Sequence, residues 1–337
     1  MKKVFIFEMK KLLIPLVIYF GIMSIIGFTV ILTSYSTVWR SFTLLYGLFG
    51  LFLIIGVIYL VFSYNKKRIS ADMTYSLPVT KRELFIGKYL ASIVSILGMM
   101  IIYLLLCLII FLLARTSNLF NKYTYDYLEI GKQLGNFVLG SLIHIGMSIP
   151  LFNFLLLFYY KANTVLDGIA FTAIGLALLQ MGSFIILQLV GRSVPVFLLN
   201  VYVRGPLYFL DEYFAFNSDR IAFYSLFSIY IISGTLLFIY LLWFSKRDCS
   251  IRTQGICDGI FGYKVFLPLL GVFIPLLTIS SMGWNKFEWL WFILTVVGLF
   301  IGYCIYHRSV KFSKLSYILF GATIGFDFIF LILSFVK

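Results

Sequence analysis

The chain has 337 residues, of which 62% are hydrophobic and 12% charged. Soluble domains carry about 45–50% apolar and about 25% charged residues, and no soluble fold of this length hides so much apolar surface. The net charge of +14 sits at the ends of apolar blocks rather than on a polar face, which argues against a nucleic-acid partner and for contact with anionic membrane lipids.

The apolar residues form continuous blocks of about 20 residues, the length a helix needs to cross a hydrocarbon core of ~30 Å. Membrane barrels show short alternating segments instead. The fold class is therefore an all-α polytopic membrane protein. Nine helices are predicted at about 12–34, 41–64, 87–113, 134–160, 164–190, 221–244, 264–282, 287–306 and 315–336.

Ahead of the first block lies Met1–Lys11, with Val4, Phe5, Phe7 and Met9 among lysines. It has no small-residue cleavage site after a short apolar core, so it reads as retained. Two descriptions fit it: an amphipathic helix on the inner membrane surface, or a basic lead-in to helix one. With the N-terminus in the cytoplasm, roughly two-thirds of the 27 basic residues fall on inner segments, which supports that orientation in the plasma membrane.

Between helices two and three, Pro78 disfavours helix at Leu77 and marks a break. Thr80 and Glu83 follow with capping-box spacing: the hydroxyl accepts from the Glu83 N–H and the carboxylate reaches back to the Thr80 N–H. Helix three therefore begins at about Thr80, outside the membrane. Residues 69–75 can form a short helix ending at the proline break. Together they make an elbow at 66–86 that projects below the membrane, or a charged turn that only enforces topology.

Asp167 lies near the inner end of helix five and reads as interfacial. The outer segment 191–220 is too apolar for an ordinary loop and is broken by Pro195 and Pro206. It is expected to be re-entrant or interfacial, packed on protein. Cys107 and Cys304 fall inside apolar blocks, while Cys249 and Cys257 sit in a basic loop placed in the cytoplasm, where thiols stay reduced. Their spacing matches no zinc motif, and no metal site is expected. In helix nine, Asp327 costs roughly 3 kcal/mol at the bilayer centre, but the surrounding Leu, Ile, Phe and Val residues outweigh it. It is either an intramembrane functional carboxylate or a protonated packing residue.

The run Tyr75-Ser76-Leu77-Pro78-Val79-Thr80-Lys81-Arg82-Glu83-Leu84-Phe85, followed by Gly87-Lys88-Tyr89-Leu90, resembles the signature of bacterial ABC-2-type transporter permeases. In that family such a string lies between helices two and three. The resemblance implies that the elbow is the coupling helix that sits on a separate ATPase subunit. It further implies that Met1–Lys11 is the connecting helix and that 191–220 is the re-entrant outer pair. The layout becomes 1–11 connecting helix, 12–246 six-helix core and 247–337 a C-terminal extension of about three helices, which the six-helix pattern lacks. ATPase-coupling roles are implied for Tyr75, Leu77, Pro78, Thr80, Lys81, Arg82 and Glu83. The implied partners are ABC ATPase subunits, a second permease (a homodimer or a related heterodimer) and membrane lipids.

The chain carries no G-x-x-x-x-G-K-[ST] phosphate loop, so ATP and Mg would be bound by the partner ATPase, with no cofactor in this chain. Nor does it carry G-x-S-x-G or H-E-x-x-H, which leaves an intramembrane enzyme without a nucleophile or metal motif and no catalytic residues to name. Two alternatives remain: a secondary transporter working through Asp327 and, behind it, an intramembrane enzyme. With 19% aromatic residues and few intramembrane charges, the expected cargo is amphipathic or hydrophobic. Within the range the resemblance implies, it is a drug, an antimicrobial peptide or a lipid.

Overall fold

A computed structural model of the chain describes residues 2–33, 38–63, 79–116, 127–162, 164–165, 167–176, 220–245, 265–272, 288–307 and 310–336. Among these residues the chain is helical, without strands. The helices are α1 (Lys2–Thr33), α2 (Val38–Phe62), α3 (Lys81–Thr116) and α4 (Tyr127–Lys161). They continue with α5 (Asp167–Leu176), α6 (Arg220–Ser245), α7 (265–272), α8 (Glu288–His307) and α9 (Lys314–Val336). Among the described residues, four stretches are long and apolar enough to cross a membrane: Lys2–Ile26, Leu45–Phe62, Lys81–Ile109 and Phe137–Lys161. The polytopic helical class read from composition is what the structure shows.

Residues 2–11 are not set off from the first span but form the opening turns of α1. The residue pattern explains this continuity. Val4, Glu8, Leu12 and Leu16 are buried, and a spacing of four keeps them on one helix face. Leu13, Ile14, Val17 and Ile18 on the opposite side are exposed, as a lipid-facing surface is. Pro15 falls inside the helix, which a membrane helix tolerates better than a soluble one.

Helix α1 packs on α3 and α2, α2 also packs on α3 and α4, and α6 closes the bundle against α4 and α3. Aromatic rings fill the space between them. Phe49 stacks on Tyr103 at 4.2 Å, and Tyr46 meets the His144 ring edge-on at 5.4 Å. The polar tips are accommodated: Tyr19 Oη donates to Phe49 O at 2.9 Å and Tyr46 Oη to Met100 O at 3.3 Å. A buried phenol needs such a partner, because water is absent at this depth.

Lipid tails are as apolar as leucine, so close packing rather than hydrophobic exclusion holds membrane helices together. Gly234 of α6 shows this directly, because a Cβ there would lie 2.6 Å from Pro150 Cβ of α4. The C-terminal helices join the bundle through α7. Its Phe266 lies between Phe158 and Phe171, with ring centroids 5.4 and 5.0 Å away. The next residue, Leu267, packs with Leu299 and Tyr303 of α8. Adjacent residues point about 100° apart on a helix, so α7 faces the core on one side and the α8–α9 pair on the other.

Candidate functional site

The first turn of α3 is built as its sequence dictates. Glu83 N donates to Thr80 Oγ1 at 3.2 Å, and Thr80 N donates to Glu83 Oε2 at 3.1 Å. The Thr80 hydroxyl adds a 2.9 Å bond to the same carboxylate oxygen. This is a reciprocal capping box, which satisfies two backbone donors that a helix start otherwise leaves open. Lys81, Arg82 and Glu83 are exposed together on this turn, while Leu84 and Phe85 turn inward. Phe85 packs against Phe62 at the end of α2 and Tyr160 near the end of α4, at 6.0 and 5.8 Å. Tyr75, Leu77 and Pro78 of the elbow lie outside the described residues, as does nearly all of 191–220.

Two turns further along α3, a buried ion pair joins Lys88 to Glu8 of α1. The side chains are only 4% and 3% exposed. Lys88 Nζ also points at Val61 O, 3.4 Å away, and Lys11 Nζ donates to Leu60 O at 3.3 Å. Lys11 lies 4.0 Å from the other Glu8 oxygen. Leu60 and Val61 belong to the last turn of α2, where carbonyls have no intrahelical donor and the helix dipole favours cations. Glu8 pairs with Lys88 and lies within 4.0 Å of Lys11. Three helices thus meet at one charged knot, set where α2 enters the elbow and α3 leaves it.

Behind this knot a second polar link crosses the bundle. Tyr89 Oη donates to Asn153 Oδ1 at 2.8 Å, and Asn153 Nδ2 donates to Gly234 O at 3.0 Å. One asparagine therefore ties α3, α4 and α6. Lys161, ending α4, donates to Tyr240 Oη of α6 at 2.9 Å.

Residues 5–210 match a family model described as ABC-2 family transporter protein. The chain belongs to the ABC-2 transporter family. No curated protein and no solved structure matches it. The matched segment holds the capping box, the Glu8–Lys88 pair, Asn153 and Asp167, and it stops before α6. The resemblance seen in the elbow sequence is therefore that of the family itself, and the protein is a membrane component of a transporter.

The two carboxylates singled out within the membrane blocks stand apart from this site. Asp167 is half-buried in the first turn of α5, where its N–H donates to Thr164 Oγ1 at 3.1 Å. Asp327 is 2% exposed in α9, and among the described residues neither of its oxygens has a hydrogen-bond partner. Among the described residues no group of three His, Cys, Asp or Glu side chains could hold a metal ion. Sequence reasoning passed over Glu8, Asn153 and the pairing of Lys88. A signal for the first was present: Glu8 is the only acidic residue before Asp72. Lys88 was likewise conspicuous, because it follows the exposed turn and precedes a long apolar run.

Proposed function

We propose that this ABC-2 protein is the permease subunit of an ATP-binding-cassette exporter, with an ABC ATPase docked on the elbow at 66–86. In this reading the N-terminus is cytoplasmic and the protein sits in the plasma membrane. A second permease, either a copy of this chain or a related one, completes the pathway. ATP and Mg bind to the partner ATPases, whose closure pushes the elbows and shifts the bundle between two packed states. The cargo is amphipathic or hydrophobic: a drug, an antimicrobial peptide or a lipid.

The observation that carries this reading is the capping box at Thr80–Glu83. It starts a rigid helix directly behind the elbow and leaves Lys81, Arg82 and Glu83 exposed on its first turn. A helix that emerges pre-formed from the elbow can transmit a push, whereas a frayed turn absorbs it. In this reading Pro78 and Thr80 shape the elbow, Tyr75 and Leu77 belong to the coupling segment, and the charges of Lys81, Arg82 and Glu83 contact the partner.

The test is purification from the native cell in mild detergent, with mass spectrometry of whatever stays bound. An ABC ATPase in near-equal amount is expected, and it should be lost from a Pro78→Leu/Glu83→Ala variant that still inserts. A stable membrane protein that brings no ATPase overturns the reading. A second reading, an ion-driven carrier, is favoured by the burial of Asp327 without a partner. Transport that survives Asp327→Asn but stops when ATP is depleted removes it.

A further inference from the structure

The polar contacts at the elbow end of the bundle do more than neutralise charge. α2 leads into the elbow and α3 leads out of it. Leu60 and Val61, in the last turn of α2, are held by Lys11 of α1 and Lys88 of α3. Both lysines converge on one carboxylate, Glu8, which belongs to α1. Glu8 and Lys88 are 80 residues apart in the chain. The α1–α3 seam continues along α3, where Ser95, seven residues past Lys88, donates its Oγ hydrogen to Met9 Sδ at 3.4 Å.

Apolar contacts between membrane helices are non-directional and permit sliding. A buried, charge-assisted hydrogen bond has a preferred length and direction, and separating it leaves two unpaired charges out of water. Neither the end of α2 at Leu60 and Val61 nor Lys88 of α3 can shift relative to α1 without disturbing these contacts. α1 also packs along both α2 and α3, and between Ile6 and Ile26 its other face is exposed, so a displacement that reaches α1 meets no described helix on that side.

We propose that the Glu8–Lys88 pair is a positioning device that carries elbow displacement into α1, making α1 and α3 move as one unit. Glu8 and Lys88 act through the helices they join and touch neither cargo nor nucleotide. The inference rests on the docking of an ATPase at the elbow.

The test uses the complete complex purified from the native cell and placed in lipid nanodiscs. The four native cysteines are replaced by alanine. A single environment-sensitive bimane is attached at Ile14→Cys in α1 or Val94→Cys in α3, each six residues beyond its member of the pair and exposed. With the pair intact, both labels change emission on addition of ATP, magnesium and vanadate. In Glu8→Leu/Lys88→Met, which removes both charges together, the α3 label keeps its response and the α1 label loses it. Lys88→Arg, which preserves the cation, keeps both responses.

An α1 response of wild-type size in the double variant overturns the proposal and leaves the docking reading standing. A wild-type complex without ATPase, in which the α3 label is silent, overturns the docking reading and the proposal with it. Should the double variant fail to assemble, Glu8→Gln, which keeps the side-chain shape, is read in its place. Failure of both to assemble makes the pair a folding element alone and overturns the transmission role.

Discussion

In α1–α4 and α6, polar side chains reach between helices distant in the chain. Glu8 meets Lys88, Tyr89 meets Asn153, Asn153 meets Gly234, and Lys161 meets Tyr240. The α8–α9 pair is assembled differently. His307 Nε2 and Ser316 Oγ lie 2.8 Å apart across the turn that joins the two helices, and Thr323 donates to Leu319 O within its own helix. The pair is joined to α7 by close approach: a Cβ on Gly271 would lie 2.5 Å from Thr323 Cγ2. The carboxylate of Asp327 finds no partner among the described residues. In a bilayer, close packing and interhelical hydrogen bonds both hold helices together, and the two regions show them in different places.

The largest effect should come from breaking the cross-linked region at its charged knot. Lys88→Met alone leaves Glu8 buried with only the exposed Lys11 nearby, 4.0 Å away, and should cost up to about 3–5 kcal/mol, because its closest buried partner is gone. Thermal unfolding in detergent should show a large fall in midpoint, most of it recovered by Glu8→Leu/Lys88→Met, where no charge is left behind. A single variant as stable as the wild type would show that the pair is solvated and the knot is loose.

Steric fit offers the next contrast. Gly234→Ala places a Cβ against Pro150, backbone as well as ring, and overpacking of this kind costs about 1–3 kcal/mol. Gly298→Ala in α8 meets nothing within 4 Å and should stay within about 0.5 kcal/mol of the wild type. The same unfolding assay compares them, and equal midpoints would remove the close approach of α6 to α4.

The unpaired carboxylate of α9 reverses the sign. Asp327→Leu removes a buried polar group that has no partner, and should stabilise the protein by about 1 kcal/mol. Asn153→Leu in the cross-linked region should instead destabilise it by about 1 kcal/mol, since two interhelical hydrogen bonds average roughly 0.6 kcal/mol each. A less stable Asp327→Leu protein would mean that this carboxylate has a task, and the comparison between the two regions would fail at that point.

The capping box at Thr80–Glu83 was readable from spacing alone because its two residues are one helical turn apart and bond to each other's backbone. The Glu8–Lys88 pair was not. Four lysines lie in the same N-terminal run as Glu8, and local rules offer Lys11, at i+3, as its partner. The structure does place Lys11 4.0 Å away, but the closer cation comes from another helix. The continuity of α1 was also hidden, because a basic, amphipathic opening reads the same whether the helix lies on the membrane or runs into it. The C-terminal extension was visible as helices, but its attachment through Phe266 was not, since nothing local distinguishes that phenylalanine from the 36 others in a chain with 37.

By itself the sequence determined that the chain is helical and membrane-embedded, and where α3 begins. These follow from the length and continuity of apolar runs and from hydrogen bonds made within one helical turn, so they are decided by near neighbours. Only the tertiary structure decided which carboxylate meets which lysine, that one asparagine ties three helices, and that Asp327 is left alone. Those outcomes depend on which helix faces pack together. In a bilayer, where lipid and leucine are equally apolar, composition carries little information about that choice.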